Sequence, residues 1–71
     1  MDIKKVRLAV GMSQEDLAKA SGVSRIAIAR YETGERVPSV IIAARIANAL
    51  GCKVDDLIKV KPAYQQGGQM T

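Results

Sequence analysis

The stretch QEDLAKASGVSRIAIARYET, residues 14–33, decides the fold. It reads as two short helices joined by a tight turn at Ser21-Gly22-Val23. Ser13 stands where a helix N-cap is needed, and Asp16 is placed as the acid of a capping box. Glu15 and Asp16 suit the positive end of the helix dipole. Leu17 is the apolar anchor of the first helix, while Ala18 and Ala20 are small enough to admit a crossing helix. Gly22 is free to take φ > 0, Val23 plugs the corner, and Ser24 caps the second helix, which runs to about Thr33. Ile28 and Tyr31 define its inner side; Arg25, Ile26, Ala29 and Arg30 lie on the other. An isoleucine and two arginines together are unusual on a face that meets only water.

Before this stretch, residues 2–10 form a helix whose apolar stripe is Ile3, Val6 and Val10. Lys4, Lys5 and Arg7 lie off that stripe, and Gly11 ends the helix. After it, Gly34 stops the third helix and GERVPS, residues 34–39, makes a loop. Pro38 biases Val37 away from helix, and Ser39 caps a helix over 40–50. Its inward residues are expected to be Val40, Ala43, Ala44, Ala47 and Leu50, with Gly51 ending it. A short last helix, 54–59, buries Leu57, with Val54 and Ile58 as further candidates. Lys53 is a poor N-cap, so the start of that helix is expected to fray. The reading is a single all-α domain over 1–60, followed at 61–71 by an expected disordered tail.

At 71 residues the chain has room for one domain with a small core. Its net charge of +4 suits an anionic partner. With two tyrosines and no Phe or Trp, stacking on single-stranded nucleic acid is poorly supported. Cys52 is the only cysteine and histidine is absent, so no internal disulfide and no Cys/His zinc site can form. Cys52, near Leu50 and Val54, reads as a small buried apolar residue. No metal or cofactor is expected. No signal region or membrane-length apolar run is present, and a soluble, cytoplasmic setting is expected. An enzyme is disfavoured: there is no histidine, no phosphate-binding glycine loop and no carboxylate pair in an evident cleft.

Residues 14–33 meet the steric demands of a helix-turn-helix at Leu17, Ala18, Gly22, Val23, Ile28 and Tyr31. That geometry leaves the first residues of the second helix protruding, where they can meet base edges. The sequence resembles the Cro/CI-type (Xre-like) helix-turn-helix family of phage repressors and bacterial regulators. The resemblance covers about residues 2–59. It rests on Arg7, SQEDLA at 13–18, GVS at 22–24, YETGERVPS at 31–39 and ANALG at 47–51. It implies a compact five-helix, lambda-repressor-like DNA-binding domain with its helix-turn-helix at helices 2 and 3.

By position, the resemblance implies base reading by Ser24, Arg25 and Ile26, with Arg30 one turn further along. It implies a phosphate contact at Gln14, a phosphate-strand loop at Arg36 and Gly34, and a buried pair between Arg7 and Glu32. Ser13 and Lys5 are added as phosphate candidates. Chemistry supports most of these roles separately. Arg25 can pair with guanine O6 and N7 or hold a phosphate, and Ile26 can pack on a thymine methyl. Ser13 and Gln14 sit at a helix N-terminus, where phosphate binds readily. Ser24, Ser13 and Gln14 also have a plainer reading as caps, and Arg30 as a solvated charge.

Ile41 and Ile42 depart from the family pattern, which usually has polar residues there. Ile41 shares a face with Arg45 and Asn48, the solvent side. A dimer surface of Val37, Ile41, Ile42 and Ile58 is therefore expected. The alternative is that Ile42 joins the core through Ile46 and only Ile41 is exposed. The functional expectation is a sequence-specific regulator of double-stranded DNA, most simply a repressor. It would bind a near-palindromic operator as a homodimer. The competing expectation is a protein-interaction or antitoxin-like module on the same fold.

Overall fold

Among the described residues, each of five helices contributes one large, fully buried apolar side chain to a common core: Ile3, Leu17, Ile28, Ile46 and Leu57. The computed structural model describes residues 1–58, and the tail expected at 61–71 lies outside them. In chain order the elements are α1 (Ile3–Ala9), α2 (Gln14–Ser21), α3 (Arg25–Thr33), α4 (Val40–Leu50) and α5 (Val54–Leu57). Helix α2 packs against both α3 and α4; α1 and α5 close the remaining sides. Val23, buried in the α2–α3 turn, completes the junction. The N–H of Asp2 donates to the carbonyl of Leu57 at 2.7 Å, so the start of α1 is stitched to α5.

Local chemistry sets the helix boundaries. The Ser13 hydroxyl accepts from the Asp16 N–H at 3.0 Å, and Asp16 Oδ2 accepts from the Ser13 N–H at 3.1 Å, a complete capping box. Those bonds to Ser13 hold the exposed Asp16 carboxyl below its ordinary pKa. Ser24 and Ser39 accept from the N–H groups of Ala27 and Ile42 and so cap α3 and α4. Helix α2 ends on Gly22 in the left-handed region, at φ 73°. The preceding Ser21 is buried: its hydroxyl donates to the Leu17 carbonyl at 2.7 Å and accepts from the Val23 N–H at 3.2 Å. Ser21 therefore belongs to the last turn of α2 and braces the corner.

Three expectations about which residues face inward require correction. In α1 the inner positions are Ile3 and Arg7, one turn apart, with Val6 half-buried; Val10 lies outside. The helix stops at Ala9, and the inner side of its second turn is taken by the Arg7 guanidinium. In α4 the buried residues are Ala43, Ile46, Ala47 and Leu50, whereas Val40 and Ala44 are exposed. Those buried residues centre the inner face on Ile46 and rotate Val40 and Ala44 to the flank. Helix α5 ends at Leu57; Ile58 is extended and exposed. At its start Asp56 Oδ2 accepts from the Lys53 N–H at 3.0 Å, so an acid inside the helix supplies the bond that the lysine side chain lacks.

A buried ion pair ties α1 to α3. Arg7 Nε donates to Glu32 Oε2 at 2.7 Å and Arg7 Nη2 to Glu32 Oε1 at 3.2 Å, a bidentate contact. Arg7 Nη1 also donates to the Met12 carbonyl at 2.8 Å, and Gln14 Nε2 to Glu32 Oε1 at 3.0 Å. The two charged side chains are only 8% and 4% accessible. Burial pushes the Glu32 carboxyl up, but hydrogen bonds from Arg7 and Gln14 and the charges of Arg7 and Lys4 outweigh it, leaving it below its ordinary value. The hydrogen bond to Glu32 raises Arg7 in turn.

Three outcomes follow. Gly22→Ala is expected to cost about 1–2 kcal/mol, the penalty of a left-handed non-glycine residue, because an added Cβ meets nothing within 4 Å. Chemical denaturation measures this directly. Arg7→Met or Glu32→Leu alone is expected to cost about 3–5 kcal/mol by stranding the other charge. The double variant should lose less than the sum, and strict additivity in the cycle would show that the pair is uncoupled. Because the folded pKa of Glu32 is depressed, its contribution is full above the ordinary glutamate range. It is lost as pH falls through the folded value. Glu32→Gln should flatten that acid limb of the stability curve.

Candidate nucleic-acid interface

The geometry of α2 and α3 separates residues that hold the fold from residues that face outward. On α3, Ile28 is fully buried, Ala27 and Tyr31 are half-buried against the core, and Glu32 is turned into the pair with Arg7. Ser24, Arg25, Ile26 and Arg30 are exposed, and Ala29 is half-buried between them. Glu32 is the only acid of α3, so its withdrawal leaves the outward face carrying two guanidinium groups and one large apolar side chain. Ile26 is 60% exposed, one residue into the helix.

The sequence-derived contacts distribute unevenly over this surface. Ser24 is exposed, and its oxygen is engaged as the α3 cap. Among the described residues Arg25 forms no ion pair, whereas Arg30 Nε lies 3.8 Å from Glu35 Oε2 at an exposed site. That separation and exposure make the Arg30 pair weak. Ser13 and Gln14 open α2, but the Gln14 amide is drawn to Glu32, so one of its donors is already spent inside the molecule. Arg36 is exposed in the loop after α3. That loop is held by the Glu35 and Arg36 N–H groups, both donating to the Arg30 carbonyl. Lys5 is exposed on α1.

A second surface lies on α4. Val37, Val40 and Ile41 are 83%, 82% and 68% exposed. Arg45 and Asn48 share that outer face. Ile42 instead packs partly against the core, beside Ile46, and so leaves the expected surface. Val40 takes its place there. Sequence periodicity missed Val40 because it begins α4 at the edge of the apolar stripe, where either assignment fits.

Cys52 is half-buried, and burial, with the nearby Asp56 charge, pushes its thiol up. Among the described residues no group of His, Cys, Asp and Glu could hold a metal ion, and no helix is long and apolar enough to cross a membrane.

Comparison with known proteins agrees with this geometry. A sequence model described as helix-turn-helix matches residues 3–57. An uncharacterized HTH-type transcriptional regulator of Bacillus subtilis, YgzD, is 38% identical over 55 residues, covering 78% of this chain and 83% of its own length. One from Methanothermobacter thermautotrophicus is 47% identical over 49 residues, covering 69% and 71%. Another, from Methanocaldococcus jannaschii, is 42% identical over 55 residues, covering 78% and 83%. The match spans all five helices, including the paired α2 and α3 and the exposed start of α3, and the chain belongs to the Cro/CI-type (Xre-like) helix-turn-helix family of transcriptional regulators.

Proposed function

We propose that this protein is a sequence-specific, double-stranded DNA-binding repressor that inserts the start of α3 into the major groove. The observation that carries the reading is the outward face of α3, where Arg25, Ile26 and Arg30 project and the single acid is withdrawn. A phosphate backbone would repel an outward carboxylate at that position, and here there is none on the helix. Lys5 and Arg36, with the helix N-terminus at Ser13 and Gln14, lie among the groups that would hold phosphates and fix register. Repression would follow from occupancy of a promoter.

The α4 surface supports a homodimer. Val37, Val40 and Ile41 are exposed at and just before the start of α4, Arg45 is exposed on the same helix, and Ile58 is exposed just past α5. A symmetric pair would set two α3 helices about 34 Å apart, one turn of DNA, on a near-palindromic site. The same exposed area favours a second reading, in which the chain acts through a different protein partner.

Binding to duplex DNA with affinity that falls steeply as salt rises is the expected result. A stable complex with another protein and no salt-dependent duplex binding would favour the second reading. Lys5→Ala and Arg36→Ala should each weaken binding by a similar factor on all sequences and lower the salt slope by about 1. Ile41→Glu should convert the dimer to a monomer in analytical ultracentrifugation, and an unchanged sedimentation coefficient would remove the α4 surface from the interface.

A further inference from the structure

We propose that each operator half-site contains a guanine and a thymine at fixed positions, read by Arg25 and Ile26 respectively; this rests on the major-groove reading above. In the major groove the four bases present distinct patterns, and each calls for a different side chain. Guanine offers two acceptors to an arginine, adenine an acceptor and donor to Asn or Gln, cytosine a donor to a carboxylate, and thymine a methyl group to an apolar side chain. The outward face of α3 holds a narrow selection of these readers. It has no Asn or Gln, which removes the bidentate adenine contact. Its one carboxylate, Glu32, is buried in the pair with Arg7, which removes the cytosine contact.

What remains is specific. Arg25 is exposed and, among the described residues, unpaired, so its fork is free for guanine O6 and N7. Ile26 is 60% exposed on the first turn, an apolar surface open to a partner. The Ser24 oxygen already accepts from the Ala27 N–H, Ala29 has only a methyl to offer, and Arg30 stands a turn further on near Glu35. Arg25 and Ile26 both lie on the first turn of α3, the part of a recognition helix whose side chains meet base edges. Adenine at this site is recognised only through the methyl of its paired thymine.

The test begins with duplexes selected from a random pool by the full chain. The winners should share an invariant guanine and an invariant T·A pair at fixed positions in each half-site. In a winning duplex, replacing that thymine by uracil removes only the methyl group and should weaken binding about fourfold, the factor for one buried methyl. Replacing the guanine by 7-deazaguanine removes N7 and should weaken it about tenfold. Ile26→Ala should abolish the thymine–uracil difference and keep the 7-deazaguanine effect; Arg25→Ala should do the reverse. Winners without the pair, or an Ile26→Ala variant as sensitive to uracil as the parent, would overturn the assignment. In either case salt-dependent duplex binding would survive, leaving the DNA-binding reading intact. A chain that binds no duplex at all would overturn both.

Discussion

The buried contact between Arg7 and Glu32 is the constraint on which the arrangement of helices depends. It joins residues 25 positions apart and takes in the carbonyl of Met12 and the amide of Gln14, so α1, the α1–α2 link, α2 and α3 meet at one point. A small aliphatic core is tolerant of sliding, because one isoleucine contact resembles another. A forked guanidinium facing a carboxylate is not, since a shift of an ångström breaks both bonds at once. The pair contributes geometry more than stability: replacing such pairs by well-packed apolar residues is often neutral or better for stability. In this molecule it fixes the angle at which α3 leaves the body of the domain, while the apolar residues supply the driving force.

The same pair links folding to electrostatics. An acid on a DNA-facing helix would ordinarily oppose the phosphate backbone. Here burial neutralises Glu32 by giving it a partner, and no buried side-chain nitrogen or oxygen among the described residues is left without a hydrogen bond. A cationic and apolar outer face and an exact inner register thus come from the same side chain. Gln14 shows the cost of this economy, since a donor that the family resemblance assigns to phosphate is already shared with Glu32.

Much of this was legible in the sequence because short-range rules are strong in short helices. Ser13, Ser24 and Ser39 mark the starts of α2, α3 and α4, and Gly22, Gly34 and Gly51 mark their ends. The inner and outer faces of α3 were equally plain, because Ile28 and Tyr31 are separated from Arg25 and Arg30 around the helix. Legibility failed where period alone had to choose a face among similar residues. Helix α4 is apolar nearly all round, VIIAARIANAL, so the positions of Val40, Ala44 and Ile42 depended on which neighbours cover which turn. Arg7 shows the opposite case: periodicity alone sets it off the apolar stripe, whereas the family resemblance pairs it with Glu32, 25 residues away, and the buried pair is present. Bonds from Ser21 and Asp56 to nearby backbone also needed coordinates, because many serines and aspartates in helices make no such bond.

The division of labour on α3 has an evolutionary corollary. Arg25, Ile26 and Arg30 project from a helix whose position is held by Ile28, Tyr31 and Glu32 on its other side. Exchanging the outward side chains leaves every core contact in place, and exposed substitutions of this kind usually change stability by less than about 0.5 kcal/mol. That outward face can therefore drift, or be redesigned, without passing through unfolded intermediates. If that face reads DNA as proposed, divergence of recognition is limited by the supply of compatible DNA sites rather than by the tolerance of the scaffold.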